Sequence, residues 1–541
     1  MNARIYTVDE NQEWAEAVAI SNGVFDFVGD SGGVKQWIGK ATRVVDLQGK
    51  MLLPGFVDAH SHILLGAAHV DDLVLDQFAS LETWLAQIKS FAEQNPDRDV
   101  LTGYGFLASS FGSEGPTRQM LDAVVPDRPV MILDEGMHGA WLNSAALSRL
   151  GIDASTPDPK PGFDYYKRDP GGEPTGYLLE GTLWQAISDL GLVNVESMSK
   201  STAEVIRLYN SYGITAVFDA GPWEVEELQA AILANIVEDG KLSIRFLGSY
   251  YIDDRADKDM VIDKVLALRD LTIDTPYKIN TLKIMVDGTL EGRTAAMFED
   301  YQGEPGNRGE TVLTVEELND LVSRATAEDL DIHFHALGER AVSESLDAIG
   351  LARRQYPGSQ SQFTLSHIQV MAREDVERFS EYGVIAQGTP LWARYDAEGQ
   401  AFITEDQFNR YYLFNSLDKA GVTLTFGSDY PSSGEGSLGI SPLYNMETGH
   451  TRQYVGRPDA PTQPPVEERL SLAQLIKAYT INGAAQMRMS DQIGSISVGK
   501  QADMVLLSQN IFEVDPYEIH KIEVLKTWLA GEMVYQSAPP D

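Results

Sequence analysis

The sequence predicts a distorted (β/α)8 TIM barrel joined to a composite β-domain made from both chain ends. Three observations support this. Apolar, strand-like segments recur through the middle of the chain, polar or amphipathic segments separate them, and similar short glycine-punctuated β-segments open and close the chain. Eight strand-like segments lie at 52–62, 214–220, 244–250, 281–288, 331–338, 363–368, 384–390 and 423–429. Helical patterns at 341–356 and 373–382 follow the fifth and sixth, and one at 414–420 precedes the eighth, the alternation that a closed parallel barrel requires. The terminal β-segments lie at 17–20, 24–28 and 43–47, and again at 503–507 and 524–535. Neither set suffices for a sandwich of its own, so the two are expected to pair. The composite domain is therefore placed at 1–56 plus 490–541 and the barrel at 57–489. Residues 66–213 are too many for one βα connection and are expected to form an insertion or lid, with patterned stretches at 130–146 and 176–189.

Composition narrows the function. Of 541 residues, 80 are acidic and 42 basic, a net charge of -38 that repels nucleic-acid phosphates and anionic membrane surfaces. No run of 18 apolar residues offers a membrane span. The expected partner is a small-molecule substrate, with no nucleic acid and no membrane, and a homo-oligomer stays open. The start, Met1 to Val8, reads as a strand rather than a secretory leader, so a cytoplasmic protein is expected. There are no cysteines, so any metal must sit on nitrogen and oxygen ligands.

His60-Ser61-His62 ends the first barrel segment, and residues two apart on a strand face the same way, so both imidazoles can reach one ion. Catalytic groups of such barrels collect at C-terminal strand ends. Of the nine histidines, His335 and His367 occupy matching positions on the fifth and sixth segments. His333 shares a face with His335 but lies two residues deeper, the place of a supporting residue rather than a ligand. Asp429 ends the eighth segment. Alone it would read as a helix cap, but beside four histidines it reads as a carboxylate that touches a metal and accepts a proton from water. Lys283 interrupts an apolar strand, and burial of an unpaired lysine is rare. Either it pairs with Asp287, or its neutral amine has captured carbon dioxide as an anionic carbamate.

These motifs resemble the amidohydrolase superfamily, in particular the branch containing N-substituted formamide deformylase and exoenzyme regulatory proteins (amidohydrolase family 3). The resemblance spans nearly the whole chain, through 53–62, 174–180, 213–221, 283–289, 335–341, 427–429, 479–484 and 494–505. It implies metal ligands at His60, His62, His335 and His367, a catalytic carboxylate at Asp429, and a carbamylated bridging lysine at Lys283. It implies one or two zinc-type ions and a β-sandwich made of the two chain ends. Departures are few: Leu337 and Glu339 replace the usual isoleucine and aspartate, and Ser366 precedes His367 where glutamate is common.

The mechanism expected from this set is hydrolysis of a non-peptide, amide-type C–N bond by metal-activated hydroxide, with Asp429 as base. His138, in a recurrent family motif of the insertion, is expected to stabilise an oxyanion or hold substrate. Glu180 and Arg293 are candidate substrate contacts. His69, His450 and His520 belong to no constellation. The same site suits esters or lactones, and a non-catalytic regulatory or scaffold protein is the competing class, against which the complete ligand set argues.

Overall fold

Pro54 and Gly55 divide the first predicted strand in two. In the computed structural model, which describes all residues except 69–71, 78, 193–194, 223–225 and 539–541, Met51–Pro54 joins a sheet of the chain ends and Phe56–Ser61 joins the barrel. Gly55 makes the crossing possible, because a Cβ there would stand 2.2 Å from Thr215 Oγ1.

Barrel strands two to eight are Ile214–Asp219, Arg245–Ile252, Tyr277–Met285, Asp331–Ala336, Phe363–His367, Val384–Gly388 and Leu424–Phe426. Each is hydrogen-bonded in parallel to the next. Barrel packing inside and helices outside bury both faces, which is why these strands read as nearly continuous apolar runs. Helix Val315–Ala327 shows the outer layer: Thr314 and Glu317 form a capping box, and Leu318, Leu321, Val322 and Ala325 are buried on one stripe.

The ring closes between its first and last strands through single backbone bonds rather than a ladder. Asp429 N–H donates to His60 O and His62 N–H donates to Tyr430 O, both at 2.8 Å. Gly427 allows this approach, since a Cβ there would lie 2.4 Å from His60 N. The seam of the barrel and the candidate ligands therefore coincide.

The terminal sheet runs Trp14–Ala15, Arg4–Tyr6, Met51–Pro54, Met504–Leu507, Val524–Leu529, Glu532–Gln536. Side chains alternate across it. Leu52, Met504 and Leu506 pack with Phe25, Val18 and Val28 of the hairpin Ala17–Ser21/Val24–Gly29, while Met51, Leu53, Val505 and Leu507 join the barrel core. Segment 43–47, expected as a strand, is not one. It is tied to the N-terminus by Leu47 N–H to Met1 O at 3.0 Å and Met1 N to Val45 O at 2.9 Å, leaving Val44 and Val45 exposed.

The insertion builds a second six-stranded sheet from Tyr165–Arg168, Pro174–Leu179, Gly139–Leu142, Val130–Asp134, Leu101–Phe106 and Leu73–Val74. Val130 and Ile132 face an outer layer with Trp84 and Trp141. Met131 and Leu133 face an inner layer that includes Leu65, Tyr251 and Met285 from the top of the barrel. The sheet thus roofs the C-terminal ends of the barrel strands. Among the described residues no helix is long and apolar enough to cross a membrane.

Candidate metal centre and its cavity

Strand ends deliver His60, His62, His335, His367 and Asp429 to one place, all of them buried. His62 Nδ1–H donates to Gly221 O at 2.7 Å, which leaves the Nε2 lone pair facing Asp429 Oδ1 at 3.1 Å. His60 Nε2 lies 3.2 Å from the same oxygen. Yet His60 Nε2, His367 Nδ1 and Asp429 Oδ1 are buried without a hydrogen-bond partner. Ligand atoms of these three residues lie within 4.8 Å of one another. Buried polar atoms are rarely left unpaired, and three converging ones fit a cation held by nitrogen and oxygen. The His335 and His367 rings are 4.6 Å apart, so His335 adjoins the same point.

Electrostatics agree with this fit. Burial first, then neighbouring positive charge, holds the His60, His333 and His367 imidazoles well below their usual range, and burial also lowers His335. Neutral imidazole is the form that ligates metal. Burial opposes ionisation of Asp429, but the adjoining His62 ring and the positive surroundings keep it well below the ordinary carboxylate range.

His333 Nε2 meets His60 Nδ1 at 2.9 Å, the contact of a residue that orients a ligand. Lys283 stands opposite His333 in the strand register. Its Nζ donates to Ser366 Oγ at 3.4 Å, and burial pulls its pKa down to about 7. The ion pair with Asp287, one of the two readings of this lysine, does not form. Asp287 instead accepts the N–H groups of Ala296, Leu337 and Gly338 at 2.8, 3.0 and 2.9 Å, anchoring loops that only the folded chain brings to it.

Sequence reasoning missed Asp58 and Trp392. Asp58 accepts Ser428 N–H at 3.0 Å, Ser428 Oγ–H at 2.6 Å and His60 N–H at 3.2 Å, tying both sides of the seam together. A carboxylate inside an apolar strand was a signal of the same kind as Lys283. Trp392 stacks on His367 at 5.6 Å and lines the cavity, and no local pattern marks it. Asp58→Ala would strand buried donors, at about 1–3 kcal/mol for each unsatisfied group. A lower melting temperature and weaker metal retention are expected, and a variant unchanged in both would show the carboxylate to be dispensable.

Above the cluster lies a cavity of about 600 Å³ whose floor includes His62, His335, His367 and Asp429. This is the size of a small-molecule site. The roof contributes His138, whose ring lies 5.9 Å from that of His335, and Glu180, whose Oε2 accepts His138 Nδ1–H at 2.7 Å. Burial lowers the His138 pKa, but Glu180 more than offsets this and holds it at about 9. Arg293 also lines the cavity, ion-paired with Glu304 and lying 4.6 Å over the Phe402 ring. His450 and His520 are elsewhere, on Leu470 O and Glu447, each at 2.7 Å. His69 lies outside the described residues.

A parallel barrel with histidines and an aspartate gathered at its strand ends under an inserted roof places the protein among metal-dependent hydrolases. The chain belongs to the amidohydrolase family, which it matches over residues 43–535. It is similar to the exoenzymes regulatory protein AepA of Pectobacterium carotovorum subsp. carotovorum, 32% identical over 433 residues, covering 78% of this chain and 92% of that one. It is also similar to the N-substituted formamide deformylase of Arthrobacter pascens, 26% identical over 99% of this chain and 98% of that one. A solved metal-dependent hydrolase from Pyrococcus horikoshii shares the fold, with TM-score 0.72, 22% identity and coverage of 96% and 97%.

Proposed function

We propose that this protein hydrolyses a non-peptide carbon–nitrogen bond of a small amide, releasing an acid and an amine. The observation that carries the reading is the convergence of the unpaired His60 Nε2, His367 Nδ1 and Asp429 Oδ1 beneath a roofed cavity. His60, His62, His335, His367 and Asp429 would hold a zinc-type ion, with Lys283 as a further ligand. Such an ion, when bound, supplies Lewis acidity that lowers the pKa of water from about 16 toward 7. The chain's own groups do the rest. Asp429, ionised at neutral pH, accepts a proton from the attacking water and returns it to the departing nitrogen. His138 donates a hydrogen bond to the substrate oxygen as negative charge develops there. The insertion sheet and Trp392 limit access of bulk water.

The strongly acidic chain, with a net charge of -38, supports a small-molecule substrate over nucleic acid. N-substituted formamides and other small N-acyl amines are the substrates to try first, because a relative is named for that activity. The test is a panel of such amides beside matched esters and lactones, run on protein of measured metal content. Turnover of amides is expected. Turnover of esters or lactones alone would overturn the C–N assignment, and metal-replete protein inert to all three would overturn the hydrolase reading.

Lys283 is read as a carbamate. A neutral amine is the form that attacks carbon dioxide, and with its pKa lowered to about 7 the buried amine is mostly neutral only above that pH. Bicarbonate should therefore raise the activity of reconstituted apoprotein more at about pH 8 than at about pH 6, as the sign of this shift demands. Lys283→Ala should be partly rescued by short carboxylic acids. Equal activity with and without bicarbonate at both pH values would refute the carbamate.

A further inference from the structure

Glu180 sits where strand Pro174–Leu179 turns into helix Gly181–Asp189, with φ +53° and ψ -132°. That combination belongs to glycine in tight turns, and a side-chain-bearing residue holds it only under constraint from its surroundings. The ordinary use of a carboxylate at this place would be to cap the helix, but the Glu180 side chain makes no capping bond. Asp164 Oδ1 accepts Gly181 N–H at 2.9 Å in its stead. The carboxylate is turned inward. It is 5% exposed, and its Oε2 takes His138 Nδ1–H at 2.7 Å while Oε1 takes Thr294 Oγ–H at 3.4 Å.

His138 is fixed from three directions. Its N–H donates to Asp134 Oδ1 at 2.9 Å, its carbonyl accepts Glu180 N–H at 2.9 Å, and its Nδ1–H is engaged by the carboxylate. Because Nδ1–H is taken, Nε2 is the nitrogen left for the cavity, where the His138 ring faces His335 across 5.9 Å. A strained turn thus presents a buried carboxylate that holds one imidazole at the cavity wall and accepts from Thr294.

We infer that Glu180 is a positioning residue: it holds the His138 imidazolium, protonated on both ring nitrogens, in the orientation that points Nε2–H to the oxygen of the scissile carbonyl. The insertion then supplies part of the catalytic apparatus as well as the roof. This rests on the amide-hydrolysis reading above and adds to it the residue that directs the oxyanion donor.

The test uses the metal-loaded, full-length protein. Glu180→Gly removes the carboxylate and relieves the turn, so stability and metal content should be retained while kcat falls about 100-fold and KM moves less than about threefold. Glu180→Gln, whose amide oxygen still accepts Nδ1–H, should recover part of kcat. A raised KM with kcat unchanged in Glu180→Gly would make Glu180 a substrate contact and overturn the proposal. A readout independent of turnover is the downfield Nδ1–H proton resonance of His138 in protein with ¹⁵N-labelled histidine, assigned by its loss in His138→Gln. It should be present in the wild type and absent in Glu180→Gly, and its persistence there would overturn the pairing. If the amide panel fails while this resonance behaves as expected, the function reading falls and the positioning contact stands.

Discussion

Asp429→Asn is expected to keep its metal and its fold and to lose roughly a thousandfold in turnover, within the range that general acid–base catalysis contributes. The change is isosteric. Asparagine tolerates positive φ better than most residues, and Asp429 sits at φ +52°, so the local backbone is not disturbed. Its N–H still bonds to His60 O across the seam. What disappears is a carboxylate held ionised below the usual range, which can accept a proton and return it. Steady-state kinetics with elemental analysis and thermal unfolding on the same preparation separates these effects. Near-normal turnover would assign the base to another group.

The double variant His60→Ala/His62→Ala is expected to empty the site, lowering bound metal from about one or two equivalents to near zero and abolishing turnover. These residues supply two of the imidazoles that meet Asp429, and His60 also carries the contact to His333. The fold should survive, because the seam bonds run through the backbone of both residues. Melting temperature should nevertheless drop by the stabilisation that bound metal lends the native state. Full metal occupancy in the double variant would sink the ligand assignment.

The barrel was legible because its strands are buried on both faces and announce themselves as apolar runs with polar interruptions, and a strand overlaps each of the eight predicted segments, the third running on to Ile252 and the fourth starting earlier, at Tyr277. The insertion sheet was harder to see. Its strands are also apolar on both faces, packing outward on Trp84 and Trp141 and inward on the barrel top, so no alternation marks them as a separate layer. Segment 43–47 has strand-like residues but lacks a neighbour to form a ladder with, and propensity without a partner strand makes no sheet.

The one-dimensional pattern determined that His60, His62, His335, His367 and Asp429 stand at strand ends, because strand position and side-chain alternation are local properties that a few consecutive residues fix. Only the tertiary structure decided that Asp287 is engaged by three backbone N–H groups and so is no partner for Lys283. It alone decided that Glu180 turns away from its own helix to His138, and that Asp58 ties Ser428 to His60 across 370 residues of chain. A buried polar group takes whichever partner the closed barrel brings within about 3 Å. That choice depends on where distant segments meet in space, which no local spacing encodes.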